Sequence, residues 1–107
     1  MPGALAARRV PLVTQRGTAF PGRVAASVLT AAGLPELVTD STEAYEALAV
    51  RLAKDTDALR AIREKLRANR ASCALFDTDL FRRNIETAYR QMWQRWLAGE
   101  KPQGFAV

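Results

Sequence analysis

Histidine is absent from this 107-residue chain, and cysteine occurs once, at Cys73. With no imidazole and a single thiol, neither a Cys/His zinc site nor a His-based catalytic triad can be assembled. A lone cysteine also excludes an internal disulfide and suits a reducing compartment. Cys73 lies between Ser72 and "ALF", where a small apolar filler is the plain reading. No apolar run approaches the roughly 20 residues of a membrane span. The opening "MPGALAARRVPLV" holds a paired arginine, but Pro11, Gln15 and Arg16 interrupt the apolar residues after it, and no signal-peptide core forms. Acids are missing before Glu36, whereas Arg8, Arg9, Arg16 and Arg23 all precede it. These absences predict a cytoplasmic chain with no metal site and no membrane segment.

What is present is ordinary for a globular protein: 49% apolar and 25% charged residues. A net charge of +5 permits an anionic partner. Acids and bases nevertheless alternate along "RLAKDTDALRAIREKLRANR", the pattern of solvated helix faces rather than of a nucleic-acid footprint. The stretch "YRQMWQRW", Tyr89 to Trp96, holds both tryptophans between arginines. Such a stretch can grip nucleic acid, sit at a membrane interface or pack a core.

Along the chain, "VPLVT" at 10–14 reads as a short strand buried on both faces, with proline tolerated near its start. The turn "QRGTAFPG" leads into a helix, "GRVAASVLTAAG", whose inner positions include Val24 and Val28 and which Gly33 stops. "LPELVT" gives the next extended segment, so residues 10–39 form a strand–helix–strand unit. Three more helices are expected, over 42–54, 56–71 and 78–98. Ser41, then Asp55 or Thr56, then Asp77 or Thr78 are their N-cap candidates. Tyr45, Leu48, Ala49 and Leu52 face inward on the first, and Leu59, Ile62 and Leu66 on the second. On the last, Phe81, Ile85, Tyr89, Met92, Trp93 and Trp96 recur at spacings of three and four; Gly99 ends the helix and Pro102 prevents its resumption.

Two short strands cannot make a stable sheet by themselves. A strand buried on both faces expects neighbours on each side, and no further strand is legible here. The predicted fold class is therefore α/β: the C-terminal portion of a Rossmann-like domain, predominantly helical in this chain. The stripe from Phe81 to Trp96 needs a sizeable apolar partner, since each buried aromatic contributes on the order of 1.5–3 kcal/mol. Core or interdomain packing is its favoured role.

"GRVAASVLTAAGLPELV", "YEALAVRLAKD", "LFDTDLF" and "AYRQMWQRWLAG" occur in this order, from about Val10 to Phe105. Each is weak alone, but the ordered set resembles the C-terminal end of the protein O-GlcNAc transferases. This is the Spindly-type family, which joins TPR repeats to a catalytic GT-B pair of Rossmann-like domains. The resemblance implies a transferase that moves GlcNAc from UDP-GlcNAc to Ser or Thr hydroxyls of acceptor proteins, with no metal and no cofactor beyond the UDP-sugar donor. Such chemistry needs a proton path for the acceptor hydroxyl and stabilisation of the departing diphosphate.

The departures from the family pattern are specific. The family's histidines lie upstream of the matched region. Its diphosphate-binding paired threonines would fall before Met1, and the Asp that meets the ribose falls on Ala4. Where the family reads Pro-Gly-Glu-Thr, this chain has Arg16, Gly17, Thr18 and Ala19. The resemblance thus gives no catalytic residue and places only Gly17, Thr18 and Arg23 near the donor. Gly17 equally suits a plain turn, and Arg23 an ion pair on an interdomain surface. The expected function is that of a transferase fragment inactive alone. The alternatives are a helical complementation module for a partner carrying the rest of the transferase, and, behind it, a small basic nucleic-acid binder.

Overall fold

A computed structural model describes residues 10–107 of the chain. Ala4, Arg8 and Arg9 lie outside them. The described residues are mostly helical, with four α-helices and two short parallel strands. The order is β1 (Thr14–Gln15), α1 (Phe20–Ala31), β2 (Val38–Thr39), α2 (Thr42–Lys54), α3 (Thr56–Asn69) and α4 (Thr78–Leu97). Two compact units divide the chain, the first ending at Phe76 and the second starting at Asp77.

In the first unit β1 and β2 pair in parallel, Thr14 with Val38 and Gln15 with Thr39. The strand expected over 10–14 is reduced to its end. Val10 is exposed and residues 11–14 are half-buried, not buried on both faces. The partner sets the limit: Pro35–Leu37 forms a 3₁₀ turn, because proline fixes its φ and has no N–H to give a ladder, and β2 therefore offers two residues only. α1 begins at Phe20, ahead of Arg23, because Pro21 fits a helical first turn that needs no N–H.

Helix ends obey local chemistry. Gly33 takes φ 77°; its N–H donates to the Thr30 carbonyl (3.0 Å) and that of Leu34 to Leu29 (2.9 Å), a Schellman end to α1. Gly99, φ 73°, ends α4 in the same way, with the N–H groups of Gly99 and Glu100 donating to Trp96 and Arg95. Ser41, Asp55 and Asp77 accept from the N–H groups of Ala44, Ala58 and Leu80, capping α2, α3 and α4. Asp55 alone joins α2 to α3, since its own N–H closes the last turn of α2 on Arg51.

The core of this unit is five leucines, Leu29, Leu34, Leu37, Leu52 and Leu66, with Leu12, Val13, Val38, Leu48, Ala58, Ile62 and Leu75 packed around them. Of the inward residues expected here, Leu52 and Leu66 are buried, Val24, Val28, Leu48, Leu59 and Ile62 half-buried, and Tyr45 exposed. Leu34 and Leu37, among the most buried side chains, sit in the turn before β2. The buried Thr39 hydroxyl donates to the Thr14 carbonyl at 2.8 Å, so burial leaves it satisfied.

The second unit is α4 and the residues after it. The side chains of Asp79, Arg82, Arg83 and Glu86 form an exposed chain of ion pairs along its first turns, and the Asp79 and then the Glu86 hydrogen bonds raise the Arg82 pKa above its ordinary value. The Arg95 guanidinium lies 4.9 Å from the centre of the Phe105 ring. Phe81, Ile85, Tyr89, Met92, Trp93 and Trp96, expected in a core, are all exposed; Trp93 is 59% and Trp96 68% accessible. A single helix cannot cover its own apolar face, and only the short segment after it shares this unit. The two tryptophan rings stack on each other instead, centroids 5.1 Å apart.

Candidate functional site at the carboxyl ends of the strands

In parallel α/β units, ligands bind outside the carboxyl ends of the strands, where the adjoining loops and helix N-termini converge. Here those ends are Gln15, followed by the loop Arg16–Ala19 and α1, and Thr39, followed by Asp40, Ser41 and α2. Three contacts tie the two ends together. The Arg16 N–H donates to the Thr39 carbonyl at 2.7 Å. The Arg16 guanidinium meets Asp40 through Nη2 at 2.9 Å and Nε at 3.0 Å. The Thr42 hydroxyl donates to the Gln15 side-chain oxygen at 3.3 Å.

The loop also lies tight against the start of α1. A Cβ added to Gly22 would stand 3.0 Å from the Gln15 carbonyl oxygen and 3.2 Å from the Gly17 nitrogen. Gly22 therefore lets the turn close, whereas Gly17 itself, with open space around it and no left-handed φ, has no such steric requirement. Gly17 and Thr18 are exposed. Ala19 gives α1 no side-chain cap, and its first turn carries no acid. Phe20 stands 80% exposed beside it.

Arg23 projects from the first turns of α1 and, among the described residues, makes no ion pair. With Arg16 it lines an open depression of about 420 Å³, floored by Ala26, Ser27, Thr30 and Ala31. The expected trio is thus only partly gathered: Gly17 and Thr18 share the loop, while Arg23 shares its depression with Arg16. Sequence reasoning missed Gln15, Gly22, Asp40 and Thr42. Arg16 and Asp40 are 24 positions apart, and only the parallel pairing of β1 with β2 brings them together. Among the described residues no group of three or more His, Cys, Asp or Glu side chains can hold a metal ion, and no helix is long and apolar enough to cross a membrane.

The sequence model of Glycosyl transferase family 41 matches residues 5–85, well over half of the chain. The chain belongs to this family. Its relatives carry the same relationship. A probable UDP-N-acetylglucosamine–peptide N-acetylglucosaminyltransferase SPINDLY of Oryza sativa subsp. japonica is 41% identical over 93 residues, 87% of this chain and 10% of the relative. A probable enzyme of the same description, SEC, of Arabidopsis thaliana is 39% identical over 99 residues, 92% of this chain and 10% of the relative. The UDP-N-acetylglucosamine–peptide N-acetylglucosaminyltransferase of Caenorhabditis elegans is 39% identical over 89 residues, 83% of this chain and 8% of the relative. The chain spans about a tenth of the length of the curated relatives it matches. The family match covers the carboxyl-edge loop and α1 to α3 and ends at Ile85, inside α4.

Proposed function

We propose that the chain is the C-terminal portion of a protein O-GlcNAc transferase, contributing the far wall of the UDP-GlcNAc site in an enzyme that glycosylates Ser and Thr hydroxyls of acceptor proteins. The observation that carries this is the family match laid over a strand–loop–helix whose loop stands at the carboxyl ends of two parallel strands. Gly17, Thr18 and Arg23 are the donor-proximal residues of this reading. An open loop of small residues permits close approach of a ligand to the backbone, and the uncapped start of α1 leaves N–H groups that favour negative charge.

By itself the chain does not catalyse transfer in this reading. It holds no histidine to serve as base, and Ala4 stands where the resemblance puts the ribose-binding Asp. Its second role is complementation: the open aromatic face of α4 favours a chain that completes itself on the remaining part of the transferase. The test is a chimera in which this chain replaces the matching segment of the Oryza relative. The chimera is expected to transfer GlcNAc from UDP-GlcNAc to a Ser/Thr peptide, whereas the isolated 107-residue chain does not. A chimera that folds, as judged by cooperative melting, yet shows no transfer overturns the assignment, and turnover by the isolated chain overturns its inactivity.

A further inference from the structure

We infer that the residues after α4 form a strap, latched by Phe105 on Arg95 and poised between a closed and an open state. The inference stands on the second unit alone and needs neither the family assignment nor the donor reading. Gly99, with φ 73°, ends α4, and the Glu100 N–H donates to the Arg95 carbonyl at 3.0 Å. No helix or strand follows, and among the described residues no backbone hydrogen bond holds residues 101–107. Of residues 100–107 Phe105 alone is half-buried, and the others are exposed. What it meets is Arg95, whose guanidinium carbon lies 4.9 Å from the centre of the ring. A cation at that distance over an aromatic face is attracted by the ring quadrupole. This contact is the latch.

Closing has a cost on the same side chain. The Arg95 Nη1 is buried and has no hydrogen-bond partner among the described residues. A lone helix leaves its flanks in water, and within this unit the strap is what can cover that nitrogen. Native structures leave few buried polar groups unpaired, because each has given up its water for nothing. Opening the strap returns water to Nη1 but parts the guanidinium from the ring. The attraction of a partly buried cation to a phenyl ring and the penalty of one stranded donor are of the same order. Neither wins by much, so the open-to-closed ratio lies within about tenfold of unity.

Position gives the device its consequence. Arg95 stands three residues after Met92 and directly before Trp96, at the edge of the exposed stripe of α4. An open strap frees a cation and a further aromatic ring at that edge, and a closed one withdraws both.

The experiment is NMR on the full 107-residue chain. Nitrogen relaxation at the Ala106 amide reads the mobility of the strap, and Overhauser contacts between the Phe105 ring and the Arg95 side chain read the latch. The wild-type chain is expected to show the contact together with intermediate mobility at Ala106. Phe105→Ala should raise the open-to-closed ratio at least about fivefold, and Phe105→Trp, a better partner for a cation, should lower it. Arg95→Met is the deciding variant. It keeps an unbranched stem beside the ring, places a thioether there and removes the stranded donor, so the ratio should fall about tenfold. A strap held by charge alone would open in this variant, and that result overturns the poise. The amide signals of Gln91 to Ala98 are expected to stay in place throughout, showing that α4 is intact and the strap alone has moved. Variants that unfold α4 would make the contact part of the helix fold and overturn the strap. So would a wild-type Ala106 as mobile as that of Phe105→Ala, or a rigid one that Arg95→Met leaves unchanged.

Discussion

At the scale of single residues, glycine positions separate what a sequence announces from what it conceals. Gly33 is announced: a glycine after an alanine-rich helix is the expected stop, and its φ of 77° is the conformation that L side chains resist. What is concealed is the second constraint on it. The Asn69 side-chain amide, from the end of α3, donates to the Ala32 and Gly33 carbonyls at 3.2 and 3.4 Å, and a Cβ on Gly33 would stand 2.5 Å from that nitrogen. No local pattern reveals a partner 36 positions away. Gly33→Ala is therefore expected to lower stability by about 2–3 kcal/mol, strain of a left-handed residue plus displacement of Asn69. A urea titration checks it: a loss of only about 1 kcal/mol, the left-handed strain by itself, would mean that Asn69 yields freely. Gly22 is the opposite case, unmarked in the sequence yet the position where the β1–α1 turn closes.

Whole elements were legible to the extent that their cause is local. α2, α3 and α4 begin at Ser41, Asp55 and Asp77 because a side-chain oxygen one residue before each helix meets an N–H three residues on, a relation contained within four residues. β1 was not legible in its extent, because a strand is as long as its partner allows and β2 is cut short by Pro35. Asp55 makes the stronger test of the local argument. It is the only residue between two helices and caps α3, so Asp55→Ala should cost about 1 kcal/mol, the ordinary worth of an N-cap, and Asp55→Asn much less. Equal losses for both, measured by the same urea titration, would place the effect in charge rather than in the cap. Trp93 supplies the converse. From spacing alone it belongs in a core, where truncation costs about 3–5 kcal/mol. In the structure it is 59% exposed, so Trp93→Ala should change the stability of this chain by less than about 0.5 kcal/mol. Periodicity groups the apolar residues of α4; what covers them is not a property of the helix.

For the molecule as a whole, the uneven distribution of burial has a consequence. The first unit closes on five buried leucines, while the second exposes four large aromatics along one helix. Most of a helix's stability in a protein comes from packing its apolar face, and an exposed apolar face of this size is the mark of an interaction surface. In the complementation reading proposed above, the occupant of this face is the rest of a family 41 transferase. Both tryptophans lie on the face in question, which makes their fluorescence the direct reporter. The isolated chain should emit as water-exposed indole. Mixed with a family transferase truncated to lack the matching segment, its emission should shift to the blue as the face is covered. Trp96→Ala, which leaves Trp93 as reporter, should weaken that association at least about thirtyfold, the effect of losing a central aromatic anchor, while leaving the melting of the chain alone unchanged. An isolated chain that already emits as buried indole and melts cooperatively as a monomer would show the face covered from within, and the complementation reading would then fail.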